Sequence, residues 1–101
     1  MEKTAYEKLL ETLLLLKSTD EADRFMKDLC TPQEISTLSE RWRVCRLLES
    51  GDLSYRQINE ETGASLATIT RVARFLKDEP HHGYKAMLQK INRKKNKIQK
   101  P

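Results

Sequence analysis

The chain has 101 residues with 34% charged side chains, three Gly, three Pro and two Cys, which is enough for one domain with a modest core. Leu, Lys, Glu and Arg dominate and turn residues are scarce, so the composition excludes a sheet protein and predicts an all-α fold. The net charge is +4, with 8 Lys/Arg against 10 Asp/Glu in residues 1–51 and 11 against 5 in residues 52–101; the basic second half fits a polyanionic partner or a solvated lysine tail.

The first predicted helix, over residues 5–16, is apolar on most of its circumference. Its stripe recurs at spacings of three and four residues and comprises Tyr6, Leu9, Leu10, Leu13 and Leu16. Leu14 and Leu15 widen this stripe, and a helix so apolar must be enclosed by several others. A chain of this length supplies few, so the pattern predicts a second subunit. A membrane-surface helix is disfavoured because Lys and Arg do not line a polar face.

Capping residues delimit the next elements. Ser18 with Glu21 predicts a capping box that opens a second helix, and residues 31–34 (TPQE) predict the start of a third. The apolar positions of the third helix are Ile35, Leu38, Trp42, Val44, Cys45, Leu47 and Leu48. Gly51 is predicted to end it.

Two helices around Gly63 have the spacing of a helix-turn-helix. Ser54 with Gln57 predicts a capping box that opens the first helix, and Ser65 opens the second, which fades at residues 78–80. With Tyr55 as the first of twenty positions, the predicted buried residues are Ile58, Ala64, Ile69 and Val72. The first helix would brace against the DNA backbone, and small residues at the start of the second allow it to approach base edges in the major groove. A glycine turn in a plain bundle and a protein-docking module are the alternative interpretations.

A last amphipathic stretch carries Tyr84, Met87, Leu88 and Ile91. From Lys90 onward the chain is almost without apolar residues, which predicts a frayed or disordered tail. The cations of this tail are Lys90, Arg93, Lys94, Lys95, Lys97 and Lys100. They either add sequence-independent phosphate contacts or are simply solvated.

Other chemistry is not indicated. Cys30 and Cys45 have no CxxC partner and are predicted to be buried thiols. His81 and His82 diverge on a helix, so no metal site is expected. No nucleophile–base pair or phosphate-binding glycine loop stands out, so we do not expect an enzyme. No signal-peptide layout and no apolar run of ~20 residues is present, which predicts a cytoplasmic protein with no membrane partner.

Several stretches match a known family. They are residues 29–32 (LCTP), 40–44 (ERWRV), 47–48 (LL), 51–56 (GDLSYR) and 63–71 (GASLATITR), of which the last is the most specific. Through them residues 29–77 resemble the core of the tryptophan repressor family, most closely its YerC/YecD-type branch. The resemblance implies a six-helix helix-turn-helix fold and an intertwined homodimer whose N-terminal helices interlock. It also implies that Arg56 pairs with a guanine edge and that Leu66, Ala67 and Thr70 approach bases directly or through water.

The family's tryptophan pocket is altered. The two arginines that clamp the ligand in tryptophan-binding members correspond to Arg41 and Arg71. The family's small glycine and serine positions are Val72 and Phe75 here, and a modest aliphatic position is Trp42. Overfilling a packed site costs ~1–3 kcal/mol per intrusion, so we expect no tryptophan binding. Trp42 and Phe75 are either a wedge that holds the recognition helices at DNA-binding spacing or ordinary core packing, and the two arginines either line a pocket or face phosphates.

The predicted organisation is one domain in three parts: a dimerisation region (1–51), a DNA-reading head (52–78) and a C-terminal helix with a basic tail (79–101). The predicted function is a homodimeric, sequence-specific transcriptional repressor that binds double-stranded DNA without a cofactor. The candidate DNA-binding residues are Arg56, Ser65, Leu66, Ala67, Thr68, Thr70 and Arg74. The candidate effector-pocket residues are Thr31, Arg41, Trp42, Arg71, Val72 and Phe75, and whether an effector exists stays open. A protein-interaction or small-ligand sensor module is the alternative function, and RNA binding is a third.

Overall fold

The computed structural model describes residues 2–99, with side chains through Lys95, and over this range the predicted all-helical fold is confirmed. The six helices are α1 (Ala5–Leu13), α2 (Thr19–Leu29), α3 (Pro32–Ser50), α4 (Tyr55–Thr62), α5 (Leu66–Lys77) and α6 (Gly83–Gln99). The chain forms two compact units that divide between Ser36 and Thr37, inside α3. None of the described helices is long and apolar enough to cross a membrane.

The unit up to Ser36 has no buried side chain among its described residues. Its second helix begins where predicted, because Ser18 Oγ accepts from the Glu21 backbone N–H at 3.1 Å. The predicted capping box is only half formed: the Glu21 carboxylate accepts from the Lys17 N–H at 2.9 Å instead of from Ser18. Local caps therefore hold these helices, while their apolar faces lack a core of their own.

Helix α1 is shorter than predicted. After Leu13 the chain tightens into a turn, in which the Leu15 N–H donates to the Thr12 carbonyl at 3.0 Å. The helix ends here because Ser18 must adopt an extended backbone, with ψ of 161°, to cap α2. The side chain of Leu14 is 85% exposed. The predicted continuation of α1 to residue 16 is wrong, but the excess of uncovered apolar surface is present.

The unit from Thr37 onward contains the buried core. Its members are Val44, Cys45, Ile58, Ala64, Ile69, Val72, Leu76 and Leu88. They come from α3, α4, α5, α6 and the α4–α5 turn, and burying each large aliphatic side chain contributes about 1.5–3 kcal/mol. Adjacent Val44 and Cys45 are both fully buried, so this part of α3 is enclosed on more than one side. This core fixes the orientation of α4 and α5.

Two further predictions are corrected. Cys30 is half-buried and only Cys45 is buried, and both are free thiols. Helix α6 continues past Lys90 to Gln99, where the sequence predicts a frayed or disordered tail. Its first half is anchored by buried Leu88, and no Gly or Pro interrupts the good helix formers that follow. The part of the tail prediction that concerns the Lys97 side chain and Lys100 lies outside the described residues.

Candidate nucleic-acid interface

The turn between α4 and α5 is fixed by its glycine and by side-chain hydrogen bonds. Gly63 ends α4 in the left-handed conformation, with φ of +75° and ψ of 0°. The Asn59 amide donates to the Ala64 carbonyl at 2.7 Å, and the Thr62 hydroxyl accepts from the Ala64 N–H at 3.0 Å. The angle at which α5 leaves α4 is therefore set by backbone geometry and local bonds.

The predicted helix-turn-helix pattern is present in the structure. Ile58, Ala64 and Ile69 are fully buried and Val72 is 1% exposed. Ser54 and Gln57 form the predicted capping box at the start of α4, with N···O distances of 2.8 and 3.2 Å. The two helices thus present one common face to the core and leave the other face exposed.

The exposed face of α5 begins with small side chains. Ser65, Ala67 and Thr70 are exposed and Leu66 is 61% exposed. Ser65 Oγ accepts from the Thr68 N–H and donates to Thr68 Oγ1, each at 3.1 Å, so these two hydroxyls are occupied in capping the helix. Thr68 is half-buried. A duplex can therefore approach this end of α5 closely, and three free side chains face outward there.

Arg56 lies on the outer surface of α4 with 89% of its side chain exposed. Its Nε is 3.4 Å from Glu60 Oε1, one helical turn further along. An exposed pair of this kind is worth about 0–1 kcal/mol. The guanidinium can therefore exchange Glu60 for a phosphate or a base at little cost.

The second half of α5 carries two arginines around one aromatic ring. The Cζ atoms of Arg71 and Arg74 lie 4.4 and 5.2 Å from the centroid of the Phe75 ring. The ring of His81 is stacked on Phe75 at 6.1 Å with an angle of 11° between the planes. Arg74 Nε also lies 3.7 Å from Glu79 Oε1. The positions of these cations are set by packing as well as by charge.

A cleft of about 440 Å³ adjoins this cluster. Its lining residues are Trp42, Arg71, Phe75, His81, Gly83, Tyr84 and Met87. Trp42 and Tyr84 form an aromatic pair with ring centroids 6.1 Å apart. Sequence reasoning placed three of these residues in a pocket but missed His81, Tyr84 and Met87. The signals for them were the amphipathic pattern that contains Tyr84 and Met87 and the position of all three just after the end of α5, where the chain must turn back toward that helix.

Cys45 is a buried thiol on α3. Burial, and secondarily the charge of Glu49, raises the pKa of the Cys45 thiol from 9.0 to about 11, which keeps it protonated. Among the described side chains no group of three His, Cys, Asp or Glu is placed to hold a metal ion.

Comparison with known proteins shows the family to which the chain belongs. The sequence profile of the family described as Trp repressor protein matches residues 4–92, which include residues of all six helices. This chain belongs to the Trp repressor family. A solved TrpR-like protein from Eubacterium eligens superposes with a TM-score of 0.82 at 40% identity, over 90% of this chain and 92% of that one.

Two curated relatives match parts of the chain. The uncharacterised protein YerC of Bacillus subtilis is 47% identical over 70 residues, which cover 69% of this chain and 66% of YerC. A Trp operon repressor homolog of Aliivibrio salmonicida is 47% identical over 49 residues, which cover 48% of this chain and 45% of that protein. In these alignments the chain spans roughly half to two thirds of the length of its relatives.

Within the Trp repressor fold, the predicted pocket residues have different local surroundings. Trp42, Arg71 and Phe75 line the cleft described above. Val72 faces the core, and Arg41 is half-buried on α3. Thr31 caps α3, since its hydroxyl accepts from the Glu34 N–H at 3.1 Å and its N–H donates to the Glu34 carboxylate at 2.8 Å. Arg71 lies against an aromatic ring of its own chain.

Proposed function

We propose that this Trp repressor family member is a homodimeric, sequence-specific DNA-binding repressor, not an enzyme, that reads the major groove with the start of α5 and does not use tryptophan. One observation carries the proposal. The start of α5 is exposed and built from small side chains, while the opposite face of the same helix is fixed in the core. This is the arrangement by which a recognition helix reaches base edges.

The side chains at this surface suit base reading. The exposed Thr70 hydroxyl can donate to or accept from a base edge, and exposed Leu66 suits the methyl group of thymine. Arg56 offers a planar fork of donors that matches the O6 and N7 atoms of guanine. Each well-formed bidentate contact is worth about 1–3 kcal/mol of discrimination between bases.

The N-terminal unit supports the homodimer. It carries no buried side chain among its described residues, although it contains two amphipathic helices. Its large exposed apolar side chains are Tyr6, Leu10, Leu14, Leu15 and Leu29. Soluble proteins rarely leave such surface uncovered, and a second copy of the chain is the simplest cover.

The second unit offers a complementary surface. Between α3 and α6 lies a groove of about 440 Å³ with Trp42, Leu47 and Leu88 among its apolar residues, and its charged residues are the cations Arg43, Arg46 and Lys95 and the single acid Glu49. Residues 1–36 hold 5 Lys/Arg against 8 Asp/Glu, a charge of −3, whereas residues 37–101 hold 14 against 7, a charge of +7. The N-terminal helices of a second copy therefore match this groove in both polarity and charge.

Independence from tryptophan follows from the altered pocket. Phe75 is the large residue at the family's serine position, and its ring already contacts Arg71, one of the two arginines that would clamp a ligand. An indole would have to displace this aromatic contact before it could stack on the same face of the guanidinium. Tryptophan binding would thus cost interactions that the protein already makes within itself.

Selection of genomic fragments by the purified full chain tests the DNA-binding role. We expect recovery of near-palindromic duplexes, which are then measured by fluorescence anisotropy. Arg56→Ala and Thr70→Ala should each weaken the selected site by about 1–3 kcal/mol, whereas Gln89→Ala, an exposed neutral change on α6, should leave it unaltered. Equal affinity for random duplex, preference for RNA, or full binding by both variants would refute the role.

Calorimetry tests the absence of a corepressor. L-tryptophan titrated into the wild-type chain, alone and on its selected duplex, should give no saturable heat and no change in DNA affinity. A stoichiometric isotherm, or a duplex affinity that rises with tryptophan, would contradict this part of the proposal.

A further inference from the structure

The outer face of α5 continues past its first turn as a cationic ridge. Ala67, Arg71 and Arg74 follow one another at spacings of four and three residues, so they share one face of the helix. All three are exposed, while Val72 and Leu76 are buried on the opposite side. The ridge therefore continues directly from the proposed base-reading turn.

One aromatic ring contacts both arginines of this ridge. The guanidinium carbons of Arg71 and Arg74 lie 4.4 and 5.2 Å from the Phe75 centroid, inside the ~6 Å range of cation–π attraction. The ring is itself stacked on His81, in the segment that follows α5. Glu79 Oε1 adds an ionic contact to Arg74 Nε at 3.7 Å. Phe75 is thus the common element of a cluster that joins α5 to the turn after it.

Stacking on an aromatic ring restricts the rotamers of an arginine side chain but leaves its N–H groups free to donate hydrogen bonds. A cation–π contact uses the flat face of the guanidinium, and the N–H groups along its edge stay available for phosphate oxygens. Free arginines lose much rotamer freedom when they bind, and a side chain held in advance loses less. The cluster is suited to hold two phosphate ligands in place before DNA arrives.

We infer that Phe75 is a positioning residue that aims Arg71 and Arg74 at the phosphates beside the bases read by α5. The inference rests on the proposed DNA-binding function and deepens it. It assigns Arg71 to phosphate contact instead of ligand binding. It also gives the large side chain at this position a role besides the filling of a pocket.

The test compares Phe75→Leu with Phe75→Tyr in the full-length chain. Leucine keeps an apolar side chain but removes the π face, whereas tyrosine keeps both. Binding to a fluorescein-labelled mixed-sequence duplex of about 30 base pairs is measured across a salt series, because each phosphate contact contributes ~0.9 to the slope of log K against log salt. We expect Phe75→Leu to weaken binding about fivefold or more at low salt and to lower the slope by about one to two per subunit. Phe75→Tyr should stay within about twofold of wild type.

A double variant separates positioning from general damage. Arg71→Gln/Arg74→Gln should lower the slope by itself, and adding Phe75→Leu to it should cause no further loss. The Hδ protons of both arginines, shifted upfield by the ring in wild-type NMR spectra, should return to ordinary values in Phe75→Leu even if that variant is less stable. Ordinary Hδ shifts in the wild type, or a wild-type slope in Phe75→Leu, would overturn the inference. Failure of the wild-type chain to bind any duplex would instead overturn the proposed function itself.

Discussion

At the scale of single residues, Glu60 competes with DNA for the guanidinium of Arg56. Glu60 lies 3.4 Å from the guanidinium that we assign to DNA, and its own charge faces the same solvent. Glu60→Gln removes both the competitor and a negative charge near the phosphates, so duplex affinity should rise about threefold or more at low salt. The melting temperature should hardly change, because exposed pairs contribute little to stability.

The control for this prediction is the double variant Arg56→Ala/Glu60→Gln. If Glu60 acts through Arg56, Glu60→Gln should raise the duplex affinity less in the Arg56→Ala background than in the wild type. Anisotropy measured side by side at one salt concentration checks both. An unchanged affinity of Glu60→Gln would show that Arg56 does not need to be released.

Ionisation of the Cys45 thiol should lower the stability of the fold at alkaline pH. Its pKa is raised from 9.0 to about 11 in the native state, so the folded chain keeps this proton to higher pH than the unfolded chain does. The stability associated with the neutral thiol is therefore complete below about pH 9 and is lost as the pH rises toward 11. Urea unfolding across this window should show a steeper loss of stability in the wild type than in Cys45→Val, which replaces the thiol by a somewhat larger apolar side chain. All other residues are common to the two proteins, so two parallel curves would contradict the assignment.

Gly63 sets the turn at the scale of elements. An added Cβ would meet no atom within 4 Å, so only its positive φ of 75° demands glycine. Gly63→Ala should therefore cost ~1–2 kcal/mol, which corresponds to about 4–8 °C in melting temperature for each kcal/mol in a domain of this size. Gly63→Asn should cost less, because asparagine tolerates the left-handed region.

Gly83→Ala is the matched control for that series. Gly83 also has open space around its Cα but lacks a positive φ, and it begins α6. Alanine there should be neutral or mildly stabilising. Equal melting temperatures for Gly63→Ala and Gly83→Ala would show that the turn does not depend on the left-handed conformation.

The elements that sequence predicts well are those fixed by neighbouring residues. The Ser54 cap, the turn at Gly63 and the helix start at Thr31 each depend on residues within three or four positions, so the sequence contains the whole signal. The end of α1 could not be predicted in this way, because the extended cap at Ser18 competes with three further leucines that also favour the helix.

Part of the candidate site could be predicted from neighbouring residues in the sequence, and part could not. The buried and exposed faces of α5 follow from periodicity, so its outward-facing residues were predictable. The cluster around Phe75 was not, because contacts with Arg71 and His81 depend on rotamers and on the path of the chain after α5. Sequence reasoning left Arg71 open between a pocket and a phosphate contact for that reason.

Dimerisation is the first prediction at the scale of the whole molecule. Leu14 and Leu66 are both exposed leucines, at 85% and 61%, but we assign the first to the partner subunit and the second to DNA. Sedimentation equilibrium should show a dimer for the wild type and for Leu66→Gln, and a shift toward monomer for Leu14→Gln. DNA binding should fall in both variants, for different reasons. A monomeric wild type, or a fully dimeric Leu14→Gln, would contradict the assignment of the N-terminal unit.

The spacing of the two half-sites tests the central claim most directly. Two copies of α5 on a two-fold axis should engage half-sites about one helical turn apart, ~34–36 Å. An insertion of about 5 base pairs at the centre of a selected duplex rotates one half-site to the far side of the helix, and affinity should fall to that of random DNA. Unchanged affinity after the insertion would mean that paired α5 helices do not read the duplex.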